Sequence, residues 1–180
     1  MKYDNLEREK EFIERIEQLD SGKLAMLRRG CGERDAIAGK CPWFYGVLQG
    51  IGDETTSYLV ASLMAQYSTA KVKSGSHRAE GDFGSTWKKA ITASGSESLQ
   101  RRFLILLDSD YNSYTGEGDL PYRLRQMVRY VAHMRLGINW PRLFDDIKQW
   151  NHPDKHVQKR WARSFYGNQH QDDAANKEEE

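Results

Sequence analysis

No stretch of this 180-residue sequence approaches the ~18–20 consecutive apolar residues of a membrane-crossing helix, which excludes an integral helical membrane protein. Met1 to Lys10 is charged and lacks the apolar segment of a secretory signal. Cysteine is scarce. Cys31 and Cys41 alone make neither a disulfide framework nor a four-thiolate zinc site. The expected compartment is the reducing cytoplasm, and both thiols read as small buried hydrophobes. Nothing alternates with period two over a useful length, so no strand is predicted. There is no internal repeat, no phosphate-binding Gly-rich loop, no zinc-finger spacing, no RNA-reading aromatic pair and no clear helix-turn-helix.

Aromatic anchors are plentiful. Five Trp, nine Tyr and six Phe supply a core although 29% of residues are charged. A disordered chain would lack them. Apolar residues recur at helical spacing. Phe12, Ile13, Ile16 and Leu19 mark a first helix, and Leu24 and Leu27 a short second one with Arg28 and Arg29 outward. Pro42 opens a segment with Trp43, Phe44, Val47 and Leu48. Asp53 caps a helix carrying Tyr58, Leu59, Leu63 and Tyr67. Residues 68–86, with Lys71, Lys73, His77 and Arg78 among Ser and Gly, read as a basic, exposed loop. A short helix is expected over 86–93, before the Ser94-Gly95-Ser96 break.

The second half is more regular. Ser96 or Ser98 caps a helix to about Asp108, with Leu99, Phe103, Leu106 and Leu107 inward. After a turn-rich stretch, Asp119 caps a helix carrying Leu124, Met127, Val128, Val131 and Met134. Asn139 caps another through Trp150, and a last one runs to Tyr166. The fold class is all-α, two small helical bundles in tandem. Residues 1–94 form the first and 95–167 the second. The segment 168–180 is an acidic tail, expected to be disordered.

Net charge is +1, but it averages unlike regions. Residues 1–20 hold 4 basic and 7 acidic side chains; residues 21–100 hold 10 and 7. Residues 101–170 hold 12 and 7; residues 171–180 hold 1 and 5. A basic middle between acidic ends suggests a polyanionic partner. The alternative is a salt-bridged helical surface.

In the last helix, Val157, Trp161 and Phe165 form an apolar arc, with His156, Lys159, Arg160 and Arg163 on the arc beside it. Arg123, Arg125 and Arg129 recur on an earlier helix, and Lys88-Lys89 and Arg101-Arg102 add pairs. The planar fork of arginine suits phosphate oxygens. Nothing here reads bases, so binding would be to the backbone and indifferent to sequence. Catalysis and metal binding find little support. His152 and His156 straddle a helix start without the Glu of His-Glu-x-x-His. Asp145 and Asp146 are adjacent on a helix, where neighbours do not face one another. A nuclease using these four residues is therefore disfavoured. Trp43, Trp87, Trp150 and Trp161 fall at apolar positions and read as core, not as base-stacking groups.

Several segments taken in order carry a resemblance: Gln100 to Asp108, Leu120 to Val128, Ile138 to Trp150 and Val157 to Tyr166, with Leu19 to Lys23, Leu27 to Arg29 and Cys41 to Tyr45 earlier. Over roughly 6–166 the chain resembles the CasB family, the small subunits of the type I-E CRISPR effector complex, Cascade. The resemblance implies a non-catalytic, cofactor-free subunit of an RNA-guided DNA surveillance complex. Its partners would be the backbone and large subunits, the guide RNA, the target and displaced DNA strands, and a second copy of itself placed head to tail. It also implies a nucleic-acid path through Arg28, Arg29, Lys88, Lys89, Arg101, Arg102, Arg123 and Arg125. The charge pattern adds Lys71, Lys73, Arg129, Lys159, Arg160 and Arg163. Among these, Arg102, beside Phe103, is the one expected to be structural.

Overall fold

The computed structural model describes residues 6–30, 39–68 and 79–167. Within them every regular element is a helix, as the periodicity predicts. In order these are α1 (Glu7–Glu17), α2 (Ser21–Gly30), α3 (Phe44–Val47), α4 (Glu54–Tyr67), α5 (Phe83–Ser94), α6 (Glu97–Leu107), α7 (Leu120–His133), α8 (Trp140–Lys148) and α9 (His156–Tyr166).

The ends of the helices follow from short polar side chains. Asp53 accepts from the Thr56 amide, Asp82 from that of Ser85 and Asn139 from that of Arg142, satisfying amides that the first turn leaves unpaired. Pro121 and Pro141 occupy first turns, where no amide hydrogen is needed. Ser96 and Asp119 stand at N-cap positions but make no side-chain cap. Asp119 pairs with Arg123 at 2.8 Å, one turn on.

The center of the molecule is α4. Eleven of its residues are buried, among them Thr56, Ser57 and Ser62. A helix buried on nearly all sides belongs to a core, not a surface. It packs against α2, α7, α8 and α1. Phe12 of α1 contacts Phe44 of α3 and Phe144 of α8, and Tyr67 of α4 contacts Trp140 of α8. Lys148 of α8 reaches the largely buried Glu9 of α1 at 2.6 Å. Apolar side chains from both halves thus join one core.

On the other side, α5 and α9 make the most extensive helix pair. Phe83 stacks on Trp161 with centroids 5.3 Å apart. Gly84 lies where the backbones meet, and a Cβ there would overlap the carbonyl of Trp161. This corrects the expected loop over 68–86. Residues 69–78, with Lys71 and Lys73, lie outside the described residues, but 83–86 are the first turn of α5. Gly84 reads as a loop residue in sequence; in the fold it is a helical residue that admits a close neighbour. The tail after Gly167 also lies outside the described residues.

Candidate nucleic-acid interface

The last helix separates its cations by direction. Val157, Trp161 and Phe165 are buried, while Lys159 and Arg163 are exposed. Arg160 sits between these faces and points inward. Its Nη2 donates to Oδ1 of the fully buried Asp146, and its Nε lies 3.8 Å from Oδ2 of Asp82. Arg142 Nε approaches the same Asp146 oxygen at 3.2 Å, and Trp161 Nε1 donates to Oδ2 at 2.5 Å. Asp82 Oδ2 also accepts from Ser164 Oγ at 2.8 Å. One guanidinium therefore bridges the cap of α5 and a buried carboxylate of α8. Burial pushes the Asp146 carboxyl up to about 7, against the lowering pull of Arg160, Trp161 and Arg142.

This corrects one expectation from sequence. Arg160 is not an exposed member of the basic stripe but the counter-charge of a buried acid. Asp146 does not face an open site, since Arg142, Arg160 and Trp161 occupy both of its oxygens. The His152 and His156 rings do touch, 4.5 Å apart, and His156 Nε2 is hydrogen-bonded with Gln149 Oε1 at 2.8 Å. Among the described residues no three His, Cys, Asp or Glu side chains cluster as metal ligands.

The remaining basic residues fall into two groups. Arg28 is half-buried on α2 and donates to the Ala65 carbonyl of α4 at 3.3 Å. Arg29 is exposed and bonds within its own helix, to Ala25 O at 3.3 Å. The second group rides on α5, α6, α7 and α9. Here α5 packs on α9, α6 and α7, and α6 packs on α7. Trp87 of α5 contacts Tyr130 of α7 and donates Nε1 to Leu99 O of α6. Phe103 of α6 stacks on Phe165 of α9, with centroids 4.4 Å apart. On this assembly Lys89, Arg101, Arg102, Arg129, Lys159 and Arg163 are exposed, and Lys88, Arg123 and Arg125 are half-buried.

Arg102, expected to be structural, instead reaches solvent. The arginines that hold a buried acid are Arg142 and Arg160, and their partner Asp146 enters the sequence reading only as part of a disfavoured nuclease site. Electrostatically, α5, α7 and α9 contain no Asp or Glu at all. Their cations lack the partners one turn away that would normally neutralise a helix surface. The exception is Arg123, held by Asp119. Such a surface attracts polyanions.

The family model for CRISPR-associated protein Cse2 matches residues 23–166. The chain belongs to the Cse2/CasB family. The matched range runs from α2 to the end of α9 and includes every basic residue considered above. A Cse2 protein of Thermus thermophilus is 40% identical over 112 residues. That match spans 61% of this chain and only 55% of the relative. The crystal structure of CasB from M. ruber has the same fold, with a TM-score of 0.68 and 32% identity, covering 93% of this chain and 97% of that one. A chain of a structure described as a CRISPR RNA-guided surveillance complex shares the fold at a TM-score of 0.65 and 21% identity, covering 89% and 92%. Among the described residues of this Cse2 protein, no helix is long and apolar enough to cross a membrane.

Proposed function

We propose that this Cse2 protein is a non-catalytic small subunit of the type I-E Cascade complex and acts in the cytoplasm in antiviral defence. It stabilises the R-loop by holding the displaced DNA strand and the duplex of guide RNA with target DNA. The contacts are to the backbone and indifferent to sequence, because guide pairing reads the target. The observation that carries this reading is the group of three packed, carboxylate-free helices, α5, α7 and α9, with Lys89, Arg129, Lys159 and Arg163 directed to solvent. R-loop formation is close to balanced, so modest contacts to the displaced strand tip it. The partners are the backbone and large subunits and a second copy of this chain.

The test is R-loop lifetime in the assembled complex. Reversing Arg129 and Arg163 together to Glu should shorten it and leave assembly intact. Each lost phosphate contact should also lower the salt slope of single-strand binding by about 0.7. An unchanged lifetime overturns the DNA-path reading. One observation favours a second reading, an assembly module without direct DNA contact. Leu104 and Ile105 on α6 are 50% and 39% exposed, beside Arg101 and Arg102. On that reading, Leu104→Ser with Ile105→Ser blocks assembly and the arginine reversals leave the R-loop unaffected.

A further inference from the structure

The outer face of α7 holds an element that the basic residues alone do not explain. Tyr122, Gln126, Arg129 and His133 recur at helical spacing, and all four are exposed. They form one stripe of about 16 Å along the helix. Arg125 flanks it, half-buried. None of these five side chains forms a hydrogen bond or ion pair with another described residue, and α7 carries no carboxylate to compete for its cations. The two tyrosines of the helix differ. Tyr130 packs edge-on against Trp87 with centroids 5.6 Å apart, whereas Tyr122 leaves its ring in solvent at 60% exposure. Tyr45, elsewhere in the molecule, is also exposed but gives its hydroxyl to Glu54 at 3.0 Å.

An exposed aromatic ring in line with unpaired cations and amide or imidazole donors matches how unpaired nucleotides are held. Cations take the phosphates and a flat ring takes a base face. Duplex DNA does not offer that face, because its bases are stacked on one another. We infer that Tyr122 is a base-stacking residue and that the Tyr122–His133 stripe of α7 binds unpaired DNA, with Arg125 and Arg129 on the backbone. The inference rests on the proposed DNA path and adds to it a preference for single strands that charge alone does not supply.

The experiment measures binding of the full chain to an oligo-dT strand and to an abasic sugar-phosphate strand of equal length. Tyr122→Ala should weaken oligo-dT binding about tenfold and leave abasic binding unchanged. Tyr122→Phe should bind as the unaltered protein does, since the ring is kept. Arg129→Ala should weaken both strands alike, and Tyr45→Ala neither. If Tyr122→Ala has no effect, or weakens both strands equally, stacking is overturned while the backbone path stands. If the unaltered protein binds neither strand at low salt, both readings are overturned.

Discussion

In the α1–α4 region, Arg15 donates to the carbonyls of Val47 and Gln49 at 3.1 and 2.6 Å, and Arg28 to that of Ala65. In the α5–α9 region, Arg142 and Arg160 hold Asp146, while Arg101, Arg102, Arg129 and Arg163 reach solvent. In the first region Arg15 and Arg28 tie backbone carbonyls near turns and helix ends, while Arg8 and Arg29 are exposed. The second divides them between one buried acid and an open surface, with Arg123 alone held by the exposed Asp119 one turn back among the described residues. Acid placement differs too. The surface of α1 carries Glu7 and Glu11 paired with Lys10 and Arg15, whereas α5, α7 and α9 carry none. Arginine content is therefore a poor guide to function, and the position of the acids decides which cations stay available.

The largest test of this contrast compares two arginines on one helix. Arg160→Ala leaves the buried Asp146 with Arg142 as its only nearby cation among the described residues. Above about pH 8, where Asp146 is ionised, breaking a buried pair in this way should cost about 3 kcal/mol and lower Tm by roughly 6–12 °C in a chain of this size. Arg163→Ala, three residues away and exposed, should leave Tm within about 2 °C but weaken single-strand binding. Equal thermal shifts would erase the distinction between inward and outward cations.

A second test moves the basic helices against one another. Gly84→Ala sets a methyl group against the Trp161 carbonyl and pushes α5 away from α9. The overlap should outweigh the roughly 1 kcal/mol helix-propensity gain of Ala and leave a net loss of about 2 kcal/mol, read from a denaturant midpoint. Unchanged stability would mean that the helix pair adjusts freely and does not fix the spacing of Lys88 and Lys89 relative to Lys159 and Arg163.

The buried acid adds a pH signature. The folded state holds the Asp146 proton more tightly than the unfolded chain does, so its contribution is fully present below about pH 3.8 and lost as pH rises through about 7. Asp146→Asn mimics the protonated form at every pH. The stability of the unaltered protein relative to this variant should therefore fall between those values. A flat difference in Tm across that range would show that the arginines keep Asp146 ionised throughout.

Helix positions are legible in the sequence because each depends on residues a few positions apart. Val157, Trp161 and Phe165 give their own period, and Asp53 and Asn139 declare their caps. The start of α5 is not legible. Asp82 is a good cap, but Gly81 and Gly84 flank it, and only the approach of Trp161, 77 residues later, explains a glycine within the helix. The roles of the basic residues are less legible still. Arg160 and Arg163 share one polar arc, and the acid that separates them, Asp146, sits on the preceding helix. Arg102 fails in the opposite sense: its neighbour Phe103 turns inward and leaves Arg102 outside. Tyr122 carries no sequence signal apart from its register with Arg129, which acquires meaning only once that face is seen to be exposed.

The smallest expected effect probes the other side of the comparison. The family resemblance groups Arg28 with the basic path, yet its guanidinium reaches the Ala65 carbonyl in the last turn of α4. The same carbonyl accepts from Ser68 Oγ at 2.8 Å, and a cation is favoured beside a helix C-terminus. Arg28→Ala should cost about 1 kcal/mol of stability, and Arg28→Lys should restore part of it by keeping a cation near the helix end. Neither should lower the salt slope of single-strand binding, whereas Arg129→Ala should. A loss of slope at Arg28 matching that at Arg129 would place α2 on the proposed DNA path after all. The path would then extend beyond the carboxylate-free helices.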